Sequence, residues 1–154
     1  MHMNIQRRLL RLLIYTSIAL LFTIATTACG GDSQESNATE FKMVPISELP
    51  AEVQSAPPSV QQAYQFAIAN PEVLSEIPCY CGCGPMGHDS NHACYISGEN
   101  DDGSPIIDGH ALGCSICVDI TQDTMRLLAQ GKSVPEIRAY VDDTYSQYGP
   151  SNMP

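Results

Sequence analysis

Six of the seven cysteines and three of the four histidines of this chain fall in one stretch. It reads Pro78-Cys79-Tyr80-Cys81-Gly82-Cys83, passes Gly87-His88, His92 and Cys94, and ends on His110 and Cys114-Ser115-Ile116-Cys117. Residues two apart on extended backbone point the same way, so Cys79, Cys81 and Cys83 are expected to line one side. A disulfide between Cys-x-Cys neighbours would close a small, strained ring. The same spacing suits thiolates that share one metal ion or bridge adjacent ions. Cys114 and Cys117 are three apart at a predicted helix start, which turns both sulfurs to one face, where the first amides favour thiolate over thiol.

Thiolate and imidazole together select copper(I) and zinc. Zinc asks for four ligands in a tetrahedron, whereas copper(I) accepts fewer and forms clusters through bridging thiolates. The candidate ligands are Cys79, Cys81, Cys83, His88, Cys94, His110, Cys114 and Cys117. Met86 and Met125 are soft auxiliaries, although Met125 sits at helical spacing and reads better as core.

Two other chemistries use the same residues. Six cysteines are an even set, open to three disulfides in any of the fifteen connectivities that six allow. Cys114-x-x-Cys117 at a helix start also has the geometry of a thiol–disulfide oxidoreductase. The alternating strands and helices of a thioredoxin fold are not apparent. No paired carboxylates and no nucleophile–base spacing point to a hydrolase.

The beginning of the chain places this chemistry outside the cytoplasm. Arg7, Arg8 and Arg11 precede an apolar run to Ala25, and the small residues Thr26-Thr27-Ala28 lead into Cys29-Gly30-Gly31. Basic head, apolar middle and small residues before a break are the parts of a secretory signal peptide. The Cys that follows resembles a bacterial lipobox, in which it is acylated and becomes the mature N-terminus. Residues 1–28 are thus expected to be a signal peptide and Cys29 the lipidation site, on a bacterial cell membrane; an uncleaved membrane helix is the alternative. Export also puts the cysteines where disulfides can persist.

All seventeen acidic residues follow Ala28, against four basic ones: Lys42, Arg126, Lys132 and Arg138. So acidic a domain does not bind nucleic acid by neutralising phosphates; it stays soluble on its tether and tolerates cations. The expected partners are the membrane, a metal ion and a metal-handling or redox protein.

The remaining sequence must position the cluster. Residues 29–40 are polar and without apolar period, a flexible tether. Residues 41–154 are expected to form one cysteine-rich helical domain, small enough that a metal or disulfides would help to stabilise it. Phe41 to Pro58, broken by prolines, is predicted extended with at most a short helical turn. A helix is predicted from about Ser59 to Ala69, where Val60, Tyr64, Ala67 and Ile68 recur at helical spacing. Asn70-Pro71 reads as an N-cap and first helical position of a short turn.

Glycines argue against regular structure through the cluster. Cys94-Tyr95-Ile96 and Pro105-Ile106-Ile107, joined by a turn over Gly98 to Ser104, suggest a small hairpin. Asn100-Asp101-Asp102-Gly103 lacks the ligand spacing and closing Glu of a calcium loop. A second helix is predicted from about Cys114 to Ala129, with Ile116, Ile120, Leu127 and Leu128 buried. Gly131 ends it, and Ser133-Val134-Pro135-Glu136 is a capping box opening a third. That helix carries Val134, Ile137, Val141, Tyr145 and Tyr148 on one face, and Gly149-Pro150 closes the domain. The fold class is mainly α: a small helical domain with a cysteine-rich loop and a short β-hairpin.

The six residues Pro78 to Cys83 resemble the signature of the PCYCGC-motif lipoproteins of bacteria. The likeness extends to Gly87-His88, Cys94, Gly109-His110 before Cys114-x-x-Cys117, and Glu136-Ile137-Arg138. It implies an exported lipoprotein with a cysteine-based metal site. Gly131-Lys132-Ser133, Glu136-Ile137 and Tyr148-Gly149 are also similar to the helical thiol-reductant subunit of cytochrome c maturation, a likeness of helix-pair pattern only.

Overall fold

The computed structural model describes residues 41–153. The signal peptide, the acylated Cys29 and the tether read from the sequence lie outside them. The described residues belong to a single unit, Ser36–Pro154. Among them, no helix is long and apolar enough to cross a membrane.

The fold is mainly α, with one short hairpin. After a 3-10 turn at Ile46–Glu48 come α1 (Ala51–Gln54), α2 (Pro58–Ala69) and α3 (Pro71–Leu74). Two 3-10 turns, Gly84–Met86 and His92–Cys94, punctuate the cysteine loop. Strands β1 (Ile96–Glu99) and β2 (Pro105–Ile107) follow, then α4 (His110–Gly113), α5 (Ser115–Ala129) and α6 (Val134–Tyr145).

Helix α2 starts where Pro57 and Pro58 permit, Pro58 taking a position whose N–H has no helical partner. It buries Val60, Ala63, Tyr64, Phe66 and Ala67 and packs on α5, which packs in turn on α6. Phe41 closes edge-on over Phe66 at 5.1 Å between ring centroids, bringing the start of the domain onto α2.

The turn between α5 and α6 follows from local chemistry. The Gly131 N–H donates to Leu128 O and the Lys132 N–H to Leu127 O, the paired bonds of a Schellman ending. Gly131 holds the left-handed conformation this requires, at φ +77°. Two residues later the Ser133–Glu136 capping box is formed in both directions, and α6 buries Ile137, Val141 and Tyr145. Tyr148 falls beyond the helix and is largely exposed, its ring tilted against Tyr145.

Several expectations are corrected. Cys94 and Tyr95 are not strand: Cys94 ends a 3-10 turn, and the strand begins at Ile96, pairing with Ile107 across an irregularity before Gly98. Gly98 and Glu99 lie in β1, so the turn is confined to Asn100–Ser104, closed by the Asn100 N–H to Ser104 O bond. Asn70 does not cap α3 with its side chain. Its amide donates to Lys42 O and Phe66 O while its oxygen accepts from the Lys42 N–H. The backbone of the incoming segment at Lys42 takes the side chain that would otherwise cap the helix.

Candidate metal centre

The site is built from the ends of elements. Pro78 releases the chain from the turn after α3 into Cys79, Cys81 and Cys83. The segment does not stay extended: it turns at Gly82, φ +79°, and Cys83 adopts helical backbone angles. Cys94 closes the 3-10 turn before β1, His110 opens α4, and Cys114 is the residue from which α5 starts, with Cys117 in its first turn.

Despite the turn, the sulfurs converge. Cys79 Sγ lies 3.4 Å from Cys81 Sγ and 3.5 Å from Cys117 Sγ. Cys81 and Cys117 are 3.6 Å apart, and Cys83 and Cys94 3.7 Å. His110 Nε2 is 3.5 Å from Cys81 Sγ. All six are separate thiols, their spacings well beyond the ~2.05 Å of a disulfide bond. Three groups of four have all their donor atoms within 4.8 Å of one another: Cys79, Cys81, Cys94 and Cys117; Cys81, His110, Cys114 and Cys117; and Cys81, Cys83, Cys94 and His110.

The donor set fits a thiophilic metal on three counts. Every donor is thiol or imidazole, the soft and borderline ligands of copper(I) and zinc. A tetrahedron with zinc–sulfur bonds of about 2.3 Å has edges of roughly 3.8 Å, close to the separations observed. A two-coordinate ion would hold its two sulfurs on opposite sides, further apart than these edges. The third count is charge. The Cys117 and Cys94 thiols beside Cys79 hold it far below the usual thiol range. Cys117 is pushed up by the neighbouring Cys79 and Cys94 and by burial. Cys94 is lowered by the nearby Cys117 but raised overall by Cys79 and by burial. Burial, above all, raises Cys81 and Cys83. Burial and the closeness of the sulfurs disfavour several thiolates at once, and a cation at the centre would relieve that penalty.

His88 stands next to this set, outside all three groups. Its ring meets that of His110 edge-on at 4.9 Å, and its Nε2 faces Asp108 Oδ2 at 3.4 Å. Its Nδ1 is buried without a hydrogen-bond partner. His92 is separate from the set, and burial lowers its pKa below the usual imidazole value. Both histidines line a cleft of about 670 Å³, together with Met86 and Met153. Met125 is core.

Polar residues outside the three groups hold the donors in place. Asn152 accepts from the Cys79 N–H at 2.6 Å and donates to His88 O and Ser90 O, and its own N–H donates to Cys79 O. Asp108 accepts from the His110 N–H through Oδ1, and its carbonyl accepts from the Tyr64 hydroxyl. Beneath Cys117, the buried Asn91 donates to Cys117 O and accepts from Thr121 Oγ1, while the Tyr95 hydroxyl donates to the same carbonyl at 2.9 Å. These roles carry no sequence signal beyond polar residues inside otherwise apolar or glycine-rich neighbourhoods. Gly149-Pro150, expected to close the domain, instead leads into Asn152, the peg of the cysteine loop.

Comparison with curated proteins and with solved structures returns no match. The family model described as "protein of unknown function with PCYCGC motif" matches residues 18–154, and the chain belongs to that family.

Proposed function

We propose that this chain is an exported, lipid-anchored protein that binds copper(I) or zinc through its cysteine cluster, for metal delivery or sequestration. One observation carries the reading: six thiols and His110, drawn from separate stretches of chain, converge in overlapping groups of four. Cys81 and Cys114 are only half-buried, which leaves the cluster open to exchange with a partner. The basic, apolar and small-residue segments leading to Cys29 support the anchor.

Anaerobic purification followed by elemental analysis and a free-thiol count on one sample tests the site. Copper or zinc in stoichiometric amount is expected, with thiols that react only after chelation. Absence of metal with freely reacting thiols would turn the reading towards a thiol–disulfide oxidoreductase using Cys114 and Cys117. Absence of both would leave a disulfide scaffold. For the anchor, Cys29→Ala is expected to move the protein from membranes to the soluble fraction; unchanged membrane retention would remove Cys29 from that role.

A further inference from the structure

The three groups of four contain more donors than one ion can use. Together they comprise six sulfurs and one imidazole, whereas a tetrahedral ion takes four ligands. Cys81 belongs to all three groups, and Cys94, Cys117 and His110 to two each. These overlaps are not chemically equal. A thiolate sulfur has lone pairs enough to bridge two ions, but a ring nitrogen has one and serves one ion. The two groups that contain His110 therefore cannot both be filled. Each can be filled alongside the group Cys79, Cys81, Cys94 and Cys117.

We propose that the cluster holds a pair of thiophilic ions bridged by the Cys81 sulfur. The proposal rests on the metal reading above. One ion occupies the all-sulfur group of Cys79, Cys81, Cys94 and Cys117. The second takes His110 Nε2, which lies 3.5 Å from Cys81 Sγ, and shares Cys81 with the first. Its set is completed in one of two ways: by Cys114 with a shared Cys117, or by Cys83 with a shared Cys94. Charge favours the pair. Four thiolates, three of them buried, around one divalent ion keep an excess negative charge, and a second cation that adds a neutral imidazole and one more thiolate brings the set nearer neutrality. Each thiol that binds gives up its proton to solvent.

The test is native mass spectrometry of the full chain in detergent, prepared anaerobically and titrated with zinc ions alone. Two ions per chain are expected. His110→Ala removes a half-exposed donor outside the all-sulfur group, and is expected to hold one. His110→Cys, which restores a donor able to bind, should recover the second. Cys81→Ser touches all three groups and should hold fewer than two. Whichever of Cys83→Ser and Cys114→Ser drops the count to one identifies the ligand that completes the second set. A single ion on the unaltered chain would overturn the bridged pair while leaving the metal reading standing. So would two ions on either His110→Ala or Cys81→Ser. An unaltered chain that takes up no zinc or copper would remove the metal reading itself.

Discussion

The helix pair α5–α6 and the cysteine loop between α3 and β1 are held together by different physics. The pair is local. Apolar stripes meet across a four-residue connection whose two ends are fixed by a Schellman ending and a capping box, both within a few residues of the groups they satisfy. The loop has almost no ladder or helix of its own, so its backbone groups borrow partners from far away. Asn152 reaches Cys79 across 73 positions and His88 across 64. A region without regular structure must still satisfy its buried polar groups, and here side-chain amides do what a neighbouring strand would do elsewhere.

The sharpest way to break the pair is through its core. Ile137 is fully buried in the cluster of apolar side chains, and Ile137→Ala should destabilise the domain by about 2–5 kcal/mol, the usual range for such a cavity. The expected readout is a large fall in the denaturation midpoint with an unchanged metal count at temperatures where the protein is folded. Loss of metal in the folded variant would show that the two regions are not separable in this way.

A smaller loss of stability, with the opposite signature, is expected of Asn152→Ala. It strands the Cys79 N–H and the carbonyls of His88 and Ser90 in partly buried positions, a cost of about 2 kcal/mol given that water can reach some of them. Hydrogen exchange should quicken over residues 78–94 before it does so in α5 and α6, and a metal ion loaded onto the cluster should be released more readily. Equal loosening of both regions would contradict the assignment of Asn152 as the loop's peg.

The mildest change lies at the connection. Ser133→Ala removes one half of the capping box and should cost about 1 kcal/mol. The other half supplies a pH dependence. The Ser133 backbone N–H, the Ser133 hydroxyl and Lys132 lower Glu136 to about 2. A carboxyl depressed in the folded state stabilises above its unfolded value and loses that contribution as pH falls to its folded value. The cap is therefore intact at neutral pH and fades as acid is added from about pH 4.5 down to about 2. Glu136→Gln should flatten this part of the acid denaturation curve; an unaltered curve would exclude Glu136 as its source.

The same contrast decides what was legible in the sequence. Helices α2, α5 and α6 could be read because their signals are local: Pro57-Pro58, Gly131, Ser133 with Glu136, and apolar residues at helical spacing. Residue type and clustering singled out the six cysteines, His88 and His110, of which the cysteines and His110 fall in the groups of four and His88 does not. Their arrangement could not be read, because Gly82 turns the segment whose alternation was expected to align Cys79, Cys81 and Cys83. Asn70, Asp108 and Asn152 were illegible as positioning residues for one reason. Each satisfies a backbone group whose need for a partner exists only after the chain has folded. A buried polar layer of Asn91, Thr121 and Thr124 likewise interrupts the α5 surface, and an apolar count along that helix passes over it.

The position of Asn152 also bears on timing. A growing chain possesses every sulfur donor and His110 once Cys117 has been made, yet Cys79, His88 and Ser90 lack their shared partner until residue 152 has emerged. The ligands are thus synthesised well before the frame that aligns them. A metal ion bound by the cluster would therefore gain its full frame only after residue 152 has joined the fold.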